Sequence, residues 1–185
     1  MLVEAEIWTI ARTDQGNAVL VRPTGSDTAV PIFIGQLEAQ SILIGMGNVP
    51  MPRPLTHDLF LTVIHNSGLV IERIEITELK EGTFFAQLIV KQNGKTQTID
   101  ARPSDSIALA VREKCPIFID EDVVEEAGIP VSTITEQVGN IPEDDSKDMK
   151  LDQLQKDLDK AVEEENYEEA ARIRDLISDY KNSES

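Results

Sequence analysis

Residues 69–101 constrain the fold more than any other stretch. Three apolar-alternating segments, 69–79, 83–91 and 95–101, are separated only by Glu81-Gly82 and Asn93-Gly94. Asn-Gly takes up the positive φ values of a tight hairpin more readily than other residue pairs. Phe84, Ala86, Leu88 and Val90 fall on one face of the middle segment. The stretch therefore reads as an antiparallel meander with one buried face.

The rest of the chain is organised around it. Alternation over 2–12, a turn at Asp14-Gln15-Gly16-Asn17, a run at 18–22 and the Val30–Ile34 run predict three more strands. Pro31 sits near the start of the last, where a missing donor is tolerated. Residues 35–46 change to helical period, with Leu37, Ile42, Leu43 and Met46 expected against the sheet and Gly47 as the stop. Pro50, Pro52 and Pro54 stiffen the following connection. A second helix runs from a Thr56 cap to Asn66, with Leu59, Phe60, Val63 and Ile64 expected inward and Gly68 ending it. Pro103 opens a third helix reaching Lys114. A short strand at Ile117–Ile119 and a short helix at Glu121–Ala127 follow. Pro31-Ile32-Phe33-Ile34 is echoed by Pro116-Ile117-Phe118-Ile119, a hint of two related strand edges. The fold class expected is α+β: a mainly antiparallel sheet, open or barrel-like, with three or four helices on one side.

Composition changes after this domain, taken as residues 1–138. Residues 139–149 are polar, acidic and aperiodic, a linker pattern. Residues 150–181 then show two short helical periods broken at Glu165-Asn166, an αα-hairpin. Net charge is −17. Residues 1–140 carry 10 basic and 19 acidic side chains (−9), and residues 141–185 carry 7 and 15 (−8). Neither part has the basic face of a generic nucleic-acid binder, so any such role needs a local metal or arginine cluster. Cys115 is the only cysteine, which excludes an intrachain disulfide and a cysteine metal cluster. The longest apolar runs are about five residues, against the roughly 20 of a membrane helix. The first residues, Met1-Leu2-Val3-Glu4, show no basic n-region. A cytoplasmic protein without membrane association is the expectation.

Chemistry is expected where polar residues interrupt apolar patterns. Glu38 lies in the first helix, and His57 and Asp58 open the second. Asp100, Arg102 and Asp105 cluster at a strand-to-helix junction. Each has a plainer reading: Asp105 as a helix-start carboxylate, Arg102 as its ion-pair partner, His57 as a helix-start hydrogen bonder. His65 reads as a C-terminal dipole partner and Cys115 as a packed thiol. A metal-dependent hydrolase needs converging carboxylates, and Glu38, Asp58, Asp100 and Asp105 are the available set for Mg²⁺ or Mn²⁺.

Three ordered segments resemble one family: Pro31-Ile32-Phe33-Ile34-Gly35-Gln36-Leu37-Glu38-Ala39, Arg53-Pro54-Leu55-Thr56-His57-Asp58-Leu59, and Asp100-Ala101-Arg102-Pro103-Ser104-Asp105-Ser106-Ile107-Ala108-Leu109-Ala110. They are similar to the bifunctional nuclease (BFN) domain family over roughly residues 1–135, with Ser106 where alanine is expected more often. The tail, with Tyr167-Glu168-Glu169-Ala170-Ala171-Arg172-Ile173-Arg174-Asp175, is similar to the UVR hairpin of UvrB and UvrC. The resemblance implies cleavage of DNA and RNA by the domain and a protein partner at residues 150–181. On that reading Glu38, Asp58, Asp100 and Asp105 are metal ligands or base, His57 is acid/base and Arg102 clamps phosphate. Arg53, Arg102 and Arg112 are then expected beside the carboxylates. The competing reading is a non-enzymatic adaptor that recruits a partner through the hairpin. Self-association as a homodimer through the BFN domain is expected.

Overall fold

A computed structural model describes residues 1–13 and 16–137, together with Arg174. The chain divides into two compact units, Met1–Gly139 and Asn140–Ser185. The expected linker and αα-hairpin fall outside the described residues, apart from Arg174.

The first unit runs β1 (Leu2–Thr13), β2 (Gly16–Pro23), β3 (Thr28–Ile34), α1 (Gln36–Met46), α2 (Thr56–Asn66), β4 (Val70–Lys80), β5 (Thr83–Gln92), β6 (Lys95–Ala101), α3 (Pro103–Glu113), β7 (Ile117–Asp120), α4 (Glu121–Ala127), β8 (Ile129–Pro130) and α5 (Val131–Gln137). The meander forms as its turns dictate. Glu81 and Gly82 have φ of 52° and 75°, and Asn93 and Gly94 have 49° and 77°. The right-handed strand twist selects such turns.

The eight strands lie in the order β6-β5-β4-β7-β1-β2-β3-β8. Every pairing is antiparallel except β4 with β7. Among the described residues nothing joins β6 to β8, so the sheet is open rather than a closed barrel. β7 lies in the middle of the sheet, which removes the notion that the two Pro-Ile-Phe-Ile segments are related edges.

Alternation along β2 separates two cores. Val19 and Val21 join the main core with Ile74, Ile76 and Ile119 under Ile42, Ile64, Ile107 and Val123. Leu20, between them, packs on the other face with Ala11, Ala29 and Ile134. Four helices thus share one face, as expected. Residues 129–137, which carry no strong periodic signal, form β8 and α5, and α5 covers part of the opposite face.

The inward faces of α1 and α2 differ from expectation. Ile42 and Ile64 are buried, but Leu37, Leu43, Met46, Leu59, Phe60 and Val63 are exposed. α1 is apolar around most of its circumference, so period alone does not choose its inner side. α1 turns its small residues Ala39 and Gly45 inward instead. A methyl group on Gly45 would meet Val111 Cγ2 at 2.5 Å and Arg112 Nη1 at 2.8 Å, so α1 sits on α3 only because this position lacks a side chain.

Ser106 is fully buried in α3, and its hydroxyl finds no hydrogen-bond partner among the described residues. Ser106→Ala is expected to stabilise the protein by about 1 kcal/mol, the cost of an unmet buried hydroxyl. Urea denaturation measures it; a destabilised variant would mean that the hydroxyl has a partner after all.

Candidate active site

Three helix starts converge on one polar network. α1 leaves β3 through Gly35, which places Glu38 in its first turn and Ser41 one turn on along the same side. α2 begins after Leu55. Its start is capped by Asp58 reaching back to the Leu55 N–H at 2.8 Å, and Thr56 is simply the first helical residue rather than the cap. α3 begins at Pro103 with Arg102 as its cap residue, so Asp105 falls in the first turn and Arg112 two turns later on the same side.

The contacts are continuous. Arg102 holds Asp105 with two parallel bonds, Nε to Oδ2 at 2.7 Å and Nη2 to Oδ1 at 3.1 Å, and reaches Glu38 Oε1 through Nη1 at 3.3 Å. Asp105 Oδ1 lies 3.6 Å from His57 Nε2. His57 Nδ1 is 2.9 Å from Ser41 Oγ. Arg112 donates through Nη2 to Ser41 Oγ at 3.4 Å, through Nε to Asp58 Oδ1 at 2.8 Å and through Nη1 to the Ala108 carbonyl at 2.8 Å. Glu38, His57, Asp58, Arg102 and Asp105 therefore belong to one polar network, with Ser41 and Arg112 as the members that join its two halves.

Ser41 is absent from the sequence expectations. Its one signal is the three-residue spacing from Glu38 on a helix, which also describes many solvent-facing serines. Arg112 was expected near the carboxylates, and its seven-residue spacing from Asp105 explains why it is. Arg53 is exposed and makes no ion pair among the described residues.

Asp100 is not part of the network. In the β5–β6 register Ala101 faces Ala86 and Ile99 faces Leu88, while Asp100 faces Gln87. Ala86 and Leu88 belong to the core beneath α3. Strand alternation thus turns Asp100 to the other side of the sheet. Nearness to Arg102 in sequence is undone by a period of two.

The network's charges are nearly balanced: three carboxylates meet two guanidinium groups and one imidazole. Arg102 stands at the solvent edge with a 66% exposed side chain, whereas that of Arg112 is 8% exposed. Burial alone would raise Asp58, but the Leu55 N–H and then the bond and charge of Arg112 outweigh it and hold this carboxyl below its ordinary range. Asp105, by hydrogen bond and then charge, followed by Glu38, raises Arg102 further. Cys115 lies away from the network; burial, then the charge of Glu113, push its thiol up to about 11, as suits the packed thiol expected. His65 binds the Glu113 carboxylate at 2.9 and 3.0 Å rather than acting through its own helix end.

A metal centre requires several ligands turned to one point. Among the described residues no three His, Cys, Asp or Glu side chains gather in that way. Glu38, Asp58 and Asp105 are instead turned to guanidinium groups. As arranged, the donor set does not fit a carboxylate-held Mg²⁺ or Mn²⁺, and no step below runs through one. A surface cavity lined by Val3, Glu4, Pro23, Glu121 and Glu125 shares no residue with the network, and its three carboxylates disfavour an anion.

The profile of the bifunctional nuclease domain matches residues 18–132, and that of the UvrB/UvrC motif matches residues 150–183. The chain belongs to the bifunctional nuclease domain family. An uncharacterized protein of Mycobacterium tuberculosis is 40% identical over 148 residues, which cover 78% of this chain and 88% of that one. Bifunctional nuclease 1 of Oryza sativa subsp. japonica is 25% identical over 86% of this chain and 53% of its own length. Bifunctional nuclease 1 of Arabidopsis thaliana is 25% identical over 88% of this chain and 55% of its own. The chain thus spans about half of each plant protein.

Because the folded Asp58 carboxyl lies below its ordinary range, its pair with Arg112 contributes stability above about pH 4 and loses it as pH falls through the lowered value. Asp58→Asn is expected to cost about 1–2 kcal/mol at pH 7, less than a fully buried pair because a third of Asp58 faces solvent. The difference from wild type should shrink below pH 4. Urea titrations at pH 7 and pH 3 test this, and an equal difference at both would refute it.

Proposed function

We propose that this chain hydrolyses phosphodiester bonds in DNA and RNA, with the α1–α2–α3 network as its active site. The observation that carries the reading is Arg102: an exposed guanidinium held in orientation by Asp105 and Glu38, with an imidazole nitrogen 3.6 Å from the same Asp105. A phosphate needs a cation presented in this way, and an acidic protein has to supply it locally. In this reading Arg102 binds the non-bridging oxygens, His57 carries the proton, and Asp105 holds both. The names of the plant relatives support the activity. The saturated ion pairs favour the second reading, a non-enzymatic adaptor in which they brace the helices. In either case residues 150–183 would dock a protein partner, as the UvrB/UvrC motif supports.

The test incubates the full chain with single- and double-stranded DNA and RNA in Mg²⁺, Mn²⁺ or chelator. Cleavage is expected, with His57→Asn and Arg102→Ala lowering it by about 10²-fold or more. Asp100→Asn, on the far face, is expected to cleave as wild type does. No cleavage in any arm, or equal rates in all variants, leaves the adaptor reading standing. The metal arms bear directly on the Mg²⁺ or Mn²⁺ expectation.

We further propose that the chain forms a homodimer through the exposed apolar residues of α1 and α2. Leu37, Leu43, Met46, Leu59, Phe60 and Val63 are 44–79% exposed there. Between Gln36 and Ser67 the only charged side chain outside the network and the His65–Glu113 pair is Arg53. A neutral apolar face lets two copies of a −17 chain meet without facing like charges. Light scattering of the full chain should give a dimer, and Leu59→Glu with Val63→Glu a folded monomer; a monomeric wild type excludes the interface. No helix among the described residues is long and apolar enough to cross a membrane.

A further inference from the structure

The geometry points to Ser41 as a nucleophile that forms a covalent phosphoseryl intermediate, a role that rests on the phosphodiesterase reading for its substrate class. Ser41, His57 and Asp105 come from three different helices, α1, α2 and α3, yet they form a line of hydroxyl, imidazole and carboxylate. A nucleophile bound to a base, with the base held by a third group, is the arrangement that activates serine.

The donor inventory fixes one of these hydrogen bonds. Arg112 Nη2 can only donate, so Ser41 Oγ accepts from it. The hydroxyl keeps its own proton to give, and the proposal requires the tautomer in which that proton points to His57 Nδ1 at 2.9 Å and the ring proton is on Nε2, 3.6 Å from the Asp105 carboxylate. Asp105 is fixed by two bonds from Arg102, and its charge beside Nε2 favours that tautomer. A ring poised in this way removes the Ser41 proton as the oxygen attacks. Arg112, pinned by Asp58 and the Ala108 carbonyl, stays beside Oγ and stabilises the charge that develops on it.

The step balances without any external oxidant or reductant. Ser41 Oγ forms a bond to phosphorus, and its proton passes to His57 Nδ1. The bond from phosphorus to the ester oxygen opposite Oγ breaks, and that oxygen takes a proton from solvent, while Nδ1 keeps the proton of Ser41. The enzyme then carries a phosphodiester on Ser41. Water attacks this phosphorus from the side opposite Oγ and releases its proton to solvent, and the bond to Oγ breaks, with Oγ taking back the proton held on Nδ1. The products are an alcohol and a phosphomonoester. Arg102, joined to the triad through Asp105, is placed to take the non-bridging oxygens in both halves. Neither half calls for a carboxylate-held metal, in keeping with carboxylates that face arginines.

A purely structural role for Ser41 would leave it inert, which a chemical probe can detect without any nucleic acid. The full chain is treated with a fluorophosphonate, which loses fluoride when a serine oxygen attacks its phosphorus, and the tagged peptide is mapped. Tagging at Ser41 is expected, with at least a tenfold slower rate in His57→Asn and none in Ser41→Ala. Circular dichroism establishes that each variant is folded, and the wild-type mapping needs no variant at all. Acid quenching during turnover of bis(p-nitrophenyl) phosphate should add a nitrophenyl phosphoryl group to the peptide holding Ser41. Ser41 tagged without nucleic-acid cleavage supports the nucleophile and overturns the nuclease reading. Cleavage with Ser41 untagged and no quenched adduct overturns the nucleophile and leaves the nuclease reading intact. Neither tagging nor cleavage refutes both.

Discussion

The helical face of this protein depends on where Arg112 is held. Its guanidinium reaches α1 through Ser41, α2 through Asp58 and its own helix through the Ala108 carbonyl. An 8% exposed cation in that position is tolerable only because its N–H groups are met and a carboxylate faces it. Gly45 makes the arrangement possible, since any side chain there would occupy the space that Val111 and Arg112 fill. The close approach of α1 to α3 and the polar seam between them are therefore one constraint. The two short polar residues that open α2, His57 and Asp58, are locked onto that seam.

The second guanidinium does different work because of where it lies. Arg102 is the cap residue of α3, at the solvent edge, and binds Asp105 one turn inside the same helix. Its charge is thus oriented and still largely hydrated, the state in which an arginine can exchange a partner for a phosphate at modest cost. Arg112 could not do so without leaving Asp58 and Ser41 unmet. One guanidinium is buried and the other exposed, and His57 and Asp105 lie between them in one network.

The apolar outer faces of α1 and α2 follow from the same geometry. The inner side of α1 is made of Ala39, Ile42 and Gly45, which are small enough to let the helix settle on α3. Leu37, Leu43 and Met46 are left exposed on α1, as Leu59, Phe60 and Val63 are on α2. Surface of this kind on a strongly acidic chain is costly unless covered.

Local physics determined much of this protein from its residues alone. Turn chemistry at Glu81-Gly82 and Asn93-Gly94, alternation through β5, Pro103 at a helix start and the ion pair of Arg102 with Asp105 all act over a few residues, and each forms as expected. The family and the α+β class were also legible, as was the gathering of Glu38, His57, Asp58, Arg102 and Asp105, because motif spacing places them at the starts of elements. Tertiary structure decided the remainder. The register of β6 against β5 turns Asp100 away, a matter of strand parity that sequence nearness to Arg102 conceals. Contact with α3 chose the inward side of α1, where the apolar pattern pointed both ways. Ser41 acquired its partners only when three helices met, since a hydroxyl has no signature until an imidazole and a guanidinium from elsewhere in the chain lie within hydrogen-bonding distance.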